Sequence, residues 1–183
     1  MGYKRNSLED TVEYILKKQN ITSYPVRVKE IIKNLNITIK EDYFEDDLSG
    51  ALVIRQGSAK MVINSTNSPV RRRFTMAHEL GHFILHVDTD SNGNDIFVDN
   101  ALVMFRKGGG RLSNIENRRE REANAFAANL LMPKSFVQKA FRTAMEKFPY
   151  FSDDEIIGHL AKEFEVSESA MTFRAMNLKL ISN

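Results

Sequence analysis

Two histidines four residues apart, with a glutamate beside the first, form the pattern His78-Glu79-x-x-His82. On a helix, residues four apart lie on the same face, so both imidazoles can bind one metal ion from the same side. Zn²⁺ suits such a pair, because catalytic zinc takes protein nitrogens, a further protein ligand and a water molecule. The Glu79 carboxylate is placed to act as a general base. The pattern therefore predicts a catalytic zinc centre.

Apolar residues surround this motif on both sides, from Phe74 to Leu85. Short patterns of this kind also occur by chance in unrelated helices. A charge is costly to bury, however, unless a metal ion or another partner compensates it. Ionisable residues within such core-like sequence therefore favour the metal-site interpretation.

The motif leaves the third protein ligand to be found. His86 lies two helical turns, or about 12 Å, beyond His78. A metal bond of about 2 Å cannot cover that distance on a continuous helix. We therefore interpret His86 as a structural residue or as a partner of a ligand.

A second predicted helix, at residues 116–132, offers carboxylates. Its apolar stripe consists of small and large residues: Ala123, Phe126, Ala127, Leu130 and Leu131. Glu122 borders this stripe, so its carboxylate could reach the metal from a closely packed helix. Glu120 is the alternative, although it stands between Arg119 and Arg121 on what the pattern indicates is a solvated face.

Composition limits the function further. A chain of 183 residues suits one domain, here residues 1–183 with the helices of 134–183 as an extension of it. The absence of cysteine excludes thiol catalysis and fits a cytoplasmic protein. A net charge of +2 does not argue for nucleic acid. The sequence has no apolar run long enough to span a bilayer and no signal-peptide core at its start, so we expect no membrane partner.

The remaining pattern predicts an α+β fold, with a small, mostly antiparallel sheet packed on a helical body. Strands are predicted at 37–39, 51–54 and 61–63, the last two joined in a hairpin around Gln56-Gly57-Ser58. Ser68-Pro69 favours the start of the metal helix, which should run to His86. Further helices are predicted at 7–19, 25–34, 134–147 and 152–164, with a last one after Ser167.

Residues 87–115 form the least regular segment. A short strand pair, 96–98 and 102–105, is predicted within it, and the segment is either a lid hinged by glycines or a surface insertion. Its Asp88–Asp99 stretch resembles a calcium loop, with Gly93 at the sixth position. Asp99 stands where glutamate is usual, and Asp95 stands where an apolar residue is usual. We therefore do not expect Ca²⁺ to bind there.

The stretch from Leu160 to Met171 looks like a helix-turn-helix. Its last helix has Arg174 and Lys179 as its positive charges, while Glu165 and Glu168 would oppose phosphate contact. Packing is the better interpretation, so we expect no direct contact with nucleic acid.

Two motifs together resemble the ImmA/IrrE family of bacterial and phage metallopeptidases: RFTMAHELGH at residues 73–82 and EANAFAANLLMP at residues 122–133. The resemblance extends to residues 49–53, 62–64 and 166–171. It implies a zincin-like fold and one Zn²⁺ per chain, held by His78, His82 and Glu122, with Glu79 as the catalytic base.

The same resemblance implies a cytoplasmic endopeptidase that cleaves a helix-turn-helix transcriptional repressor or a similar regulatory protein, often in a mobile element or a stress circuit. The alternative is a catalytically silent partner-binding or toxin–antitoxin module with a structural zinc. Glu79 argues against that alternative, because a purely structural zinc does not need a base.

A candidate substrate-binding strand directly precedes the metal helix in the sequence: Lys60, Met61, Val62, Ile63 and Asn64. Extended peptides can bind to a sheet edge through main-chain hydrogen bonds. Because a short connection joins this strand to the metal helix, we predict that it is an edge strand facing the zinc cleft.

Overall fold

The computed structural model describes residues 7–44, 48–87, 95–100 and 114–182. In these ranges the helices are α1 (Leu8–Lys18), α2 (Val28–Asn34), α3 (Pro69–His86), α4 (Asn114–Leu131), α5 (Lys134–Lys147), α6 (Asp153–Phe164) and α7 (Glu168–Asn177). The strands are β1 (Thr38–Asp42), β2 (Leu48–Arg55), β3 (Ser58–Asn64) and β4 (Asp95–Asn100). The predicted α+β class is confirmed. Within the same ranges, no helix is both long enough and apolar enough to cross a membrane.

The four strands form one sheet in the order β1-β3-β2-β4. The predicted hairpin is present: β2 and β3 pair antiparallel, and Gln56 and Gly57 between them both have positive φ angles, of 48° and 76°. Positive φ at both central residues gives a turn whose twist matches that of the flanking strands. β2 also pairs antiparallel with β4, whereas β1 pairs parallel with β3. The sheet is therefore mostly antiparallel, as predicted.

The prediction that residues 60–64 form a sheet edge is wrong. β3 is an inner strand, because Ile39 of β1 stands opposite Met61 on one side and Leu52 of β2 stands opposite Met61 on the other. Main-chain groups on both sides of β3 are therefore used within the sheet, and an extended substrate cannot add to it.

Helix α3 has the bounds predicted for the metal helix. The Ser68 hydroxyl accepts a hydrogen bond from the Arg71 amide. Pro69 occupies the first turn, where a backbone N–H would have no partner within the helix, so its absence costs nothing. The helix packs against β2 and β3. Gly50 of β2 permits this approach, because a Cβ there would lie 2.5 Å from the Thr75 Cγ2 atom.

The chain divides into two compact units. Val28–Ala127 holds the sheet, α2, α3 and most of α4, with Leu52, Met61 and Leu80 fully buried. The predicted single domain over residues 1–183 stays a prediction.

The other unit combines Met1–Arg27 with Ala128–Asn183. Leu160 and Met171 of the helix-turn-helix-like pair are buried in it. Arg174 is buried too, and its Nε donates to the Met132 carbonyl oxygen at 2.9 Å. This positive charge is therefore engaged inside the unit, as the packing interpretation requires.

Three sequence-based predictions fall largely outside the described residues. Residues 88–94 hold the start of the candidate calcium loop, and residues 101–113 hold the predicted strand 102–105. The two ranges together hold most of the segment predicted as a lid or an insertion. The other strand of that pair, predicted at 96–98, is present as β4.

Candidate metal centre

Three donor groups from α3 and α4 converge on one point. His78 and His82 stand on consecutive turns of α3, both buried, with their Nε2 atoms 3.0 Å apart. Glu120 of α4 reaches both rings: its Oε2 lies 3.3 Å from His78 Nε2, and its Oε1 lies 3.1 Å from His82 Nε2. In the described ranges, these residues form the one group of three His, Cys, Asp or Glu side chains whose donor atoms all lie within 4.8 Å of one another.

This geometry corrects the choice of Glu122 as the third member of the centre. The Glu122 carboxylate instead contacts His86 Nε2, at 3.0 Å from Oε2, and Arg118 Nε, at 2.9 Å from Oε1. Glu120 and Glu122 are separated by about 200° around the helix axis, so they cannot serve the same point. His86 does not join the three converging donor atoms; it contacts the other ring nitrogen of His82 at 3.1 Å and the Glu122 carboxylate at 3.0 Å.

The separations fit a small tetrahedral cation. Zinc bonds of about 2.0–2.1 Å in a tetrahedral arrangement place the ligand atoms roughly 3.3 Å apart. The observed separations between the donor atoms of His78, His82 and Glu120 run from 3.0 to 3.3 Å. Two imidazole nitrogens and a carboxylate are also the ligand types that zinc accepts.

The protonation of His78 is set by Asn124, a residue that the sequence reasoning missed. His78 Nδ1 lies 3.0 Å from the Asn124 side-chain oxygen. An amide oxygen only accepts hydrogen bonds, so Nδ1 carries the proton and the neutral ring directs a lone pair from Nε2 towards Glu120. Asn124 stands four residues after Glu120, on the same helical face, and this spacing was the available signal.

The electrostatics of the centre favour a bound cation. Burial acts to raise the pKa of Glu120, but the adjacent imidazoles of His78 and His82 outweigh burial and lower the pKa to about 2. The carboxylate is therefore ionised at neutral pH. An ionised carboxylate beside an imidazole lone pair attracts positive charge, so the residues present fit a divalent metal.

Glu79 lies next to the centre and is fully buried, at 0% exposure. It follows His78 directly on α3, so its side chain leaves the helix about 100° from His78 and about 60° from His82. A carboxylate kept from bulk water beside a cation site can move a proton with little competition from solvent. The role of Glu79 as general base stays a prediction.

Gly81 lets α3 and α4, which carry the three converging donor groups, come close together. A Cβ at this position would lie 3.1 Å from Phe126 Cδ1 and 3.2 Å from both the Cα and the carbonyl oxygen of Ala123. Glu120 is one turn before Ala123 on α4. The small residues Gly81 and Ala123 therefore set the distance at which Glu120 meets the histidines.

The fold and this centre define an α+β domain with a metal-type site between two helices. Residues 32–176 match the family model described as the IrrE N-terminal-like domain, which belongs to a peptidase family. The match covers most of the chain, so this chain belongs to that family. The resemblance drawn from the two sequence motifs is thereby confirmed.

One curated relative is the radiation response metalloprotease IrrE of Deinococcus radiodurans. The two sequences are 33% identical over 115 residues, which is 62% of this chain and 29% of the relative. This chain thus spans less than a third of the length of that relative.

Proposed function

We propose that this protein is a zinc-dependent endopeptidase that acts in the cytoplasm on a helix-turn-helix transcriptional repressor or a similar regulatory protein. The observation that carries the proposal is the convergence of His78, His82 and Glu120 beside the buried carboxylate of Glu79. The name of the relative as a metalloprotease supports the same chemistry. The kind of protein substrate rests on the family resemblance.

In this proposal His78, His82 and Glu120 hold Zn²⁺, which when bound supplies Lewis-acid chemistry at a peptide carbonyl and acidifies water towards a pKa of ~7. Glu79 accepts the proton of the attacking water and passes it to the nitrogen of the leaving peptide. Asn124 holds His78 in the tautomer that leaves Nε2 available.

The base is tested with Glu79→Gln, which keeps the shape of the side chain but cannot take the proton. The variant should retain about one equivalent of zinc and cleave at least ~100-fold more slowly. The probe is the helix-turn-helix repressor encoded nearest to this protein, with cleavage followed by gel electrophoresis and mass spectrometry of the new termini. Glu163→Gln, in the other unit, is the matched control and should cleave at the wild-type rate.

Two results would contradict the proposal. Wild-type cleavage by Glu79→Gln would show that this carboxylate is not the base. A zinc-loaded wild-type protein that binds the repressor and leaves it intact would instead favour a partner-binding module with a structural zinc.

The ligand set is tested separately by comparing Glu120→Ala with Glu122→Ala. Glu120→Ala should lose more zinc affinity, because its oxygens lie 3.1 Å and 3.3 Å from the histidine nitrogens. Affinity is measured by competition with a chromophoric chelator. A larger loss for Glu122→Ala would restore Glu122 as the ligand and refute the arrangement described above.

A further inference from the structure

A line of polar contacts leads from His82 away from the metal centre. His82 Nδ1 lies 3.1 Å from His86 Nδ1, and His86 Nε2 lies 3.0 Å from Glu122 Oε2. The other Glu122 oxygen, Oε1, accepts from Arg118 Nε at 2.9 Å. The side chains become progressively more exposed along this line, from 2% for His82 and 5% for His86 to 29% for Glu122 and 74% for Arg118.

The identity of each atom fixes where the protons lie. An ionised carboxylate only accepts, so the Glu122 contact requires a proton on His86 Nε2. The Nδ1 of a neutral His86 is then a lone pair and must accept from His82 Nδ1–H. His82 in turn is left with a lone pair on Nε2, the nitrogen that faces His78 and Glu120.

We propose that His86 and Glu122 are positioning residues that hold His82 in the Nδ1–H tautomer and fix the orientation of its ring towards the metal. The inference rests on the proposed metal centre and assigns two residues that are not themselves ligands. Glu122 therefore acts on the centre through His86, although its carboxylate does not reach the three converging donors.

The two histidines of the centre are supported differently. His78 donates to the neutral amide oxygen of Asn124, whereas His82 donates into a line that ends on a carboxylate. Outer partners that accept from a ligating imidazole raise its basicity as well as orienting it, and their loss typically lowers metal affinity ~10–100-fold. Replacing His86 by a residue that cannot accept from His82 should therefore weaken zinc binding without removing a ligand.

The experiment measures zinc affinity by chelator competition and the tautomer of each histidine by ¹⁵N NMR. His86→Phe keeps the bulk of the ring but removes both nitrogens, and it should lower zinc affinity ~10–100-fold. Glu122→Leu should lower it in the same direction, and Glu122→Gln, whose oxygen can still accept from His86, should lose less. The matched control is His159→Phe, which removes the one histidine outside residues 78–86 and should bind zinc within about twofold of wild type.

A double variant tests whether Glu122 acts on zinc affinity through His86 or independently of it. If Glu122 acts through His86, His86→Phe combined with Glu122→Leu should lose no more zinc affinity than His86→Phe alone. Additive losses would overturn the proposal. Should His86→Phe fail to fold by circular dichroism, the partly exposed Glu122 variants still test the line.

NMR distinguishes this inference from the proposed function. The line predicts a proton on His82 Nδ1 in the wild-type protein at pH 8, both with and without zinc, and its loss or exchange with Nε2 in His86→Phe. A proton on His82 Nε2 in wild type, or wild-type zinc affinity in both His86→Phe and Glu122→Leu, would refute it. Failure to cleave a repressor would contradict the peptidase activity while leaving these readouts unaffected.

Discussion

Replacing Gly81 by alanine should destabilise the protein and weaken its metal centre together. The added methyl carbon would lie 3.1 Å from Phe126 Cδ1 and 3.2 Å from the Ala123 Cα. Ordinary carbon contacts are about 3.5–4.0 Å, so the neighbours must move by roughly 0.5 Å. The Ala123 atoms are backbone, so relief requires α4 to shift as a whole, and Glu120 shifts with it.

The expected magnitude combines two opposing effects. Overfilling a packed site costs about 1–3 kcal/mol, and replacing glycine by alanine inside a helix regains about 1 kcal/mol. The net loss is about 1 kcal/mol, or about 2–4 °C in Tm for a chain of this size. Zinc affinity should fall as well, because Glu120 moves away from His78 and His82.

Gly158→Ala is the matched control, since it also places alanine inside a helix. Its Cβ would meet Glu168 Oε1 at 3.5 Å, an ordinary contact with the end of a flexible side chain. This variant should gain about 0.5–1 kcal/mol and retain wild-type zinc affinity. Both variants are compared by thermal unfolding and by chelator competition. If Gly81→Ala raised Tm as Gly158→Ala does and bound zinc as tightly as wild type, the close approach of α3 and α4 would not constrain the centre.

Gly50→Ala should cost about 1–3 kcal/mol of unfolding free energy, because its Cβ would lie 2.5 Å from Thr75 Cγ2. Adding Thr75→Ser, which removes that methyl group, should recover part of the loss in urea denaturation; no recovery would place the strain elsewhere. The pKa of Glu41 is lowered chiefly by its hydrogen bond from Lys29. Since the folded pKa is below the ordinary ~4.3, Glu41 stabilises the protein above that pH and loses this effect as pH falls through the folded pKa. The stability difference between wild type and Glu41→Gln should therefore be present at pH 7 and disappear at low pH; equal differences at both would contradict it.

The parts of the fold that the sequence predicted well depend on local interactions. Ser68 and Pro69 start α3 through their own hydroxyl and ring geometry, and the Gln56-Gly57 turn joins neighbouring strands. These preferences act within a few residues, so a single sequence reveals them.

The choice between Glu120 and Glu122 shows where local reasoning fails. Arg119 and Arg121 flank Glu120 in sequence, but on a helix each is rotated by about 100° from it. The residues that show which face of α4 Glu120 occupies are Ala123 and Asn124, because they follow it by three and four positions and lie on the same face. Periodicity identified the apolar stripe, but which border of that stripe meets α3 depends on packing between helices.

The error at β3 has a different origin. The predicted edge rests on the closeness of residues 60–64 to α3 along the chain, and that closeness does not determine the order of the strands in the sheet. β1 instead adds parallel to β3 although β2 separates them in sequence. A parallel pairing between strands that are not consecutive has no turn signal, so it is not visible in the local pattern.

The unit that joins Met1–Arg27 to Ala128–Asn183 has a consequence for the order of folding during synthesis. Its two segments hold one another directly: the Tyr24 ring stacks on Phe164 at 4.1 Å, and the Ser135 hydroxyl donates to Glu13 at 2.9 Å. The ribosome makes the first of these segments before Val28–Ala127 and the second one after it. Compact units tend to fold as soon as their whole sequence has been synthesised. We therefore expect the unit with the metal-type site to form before α1 can pack against α5, α6 and α7.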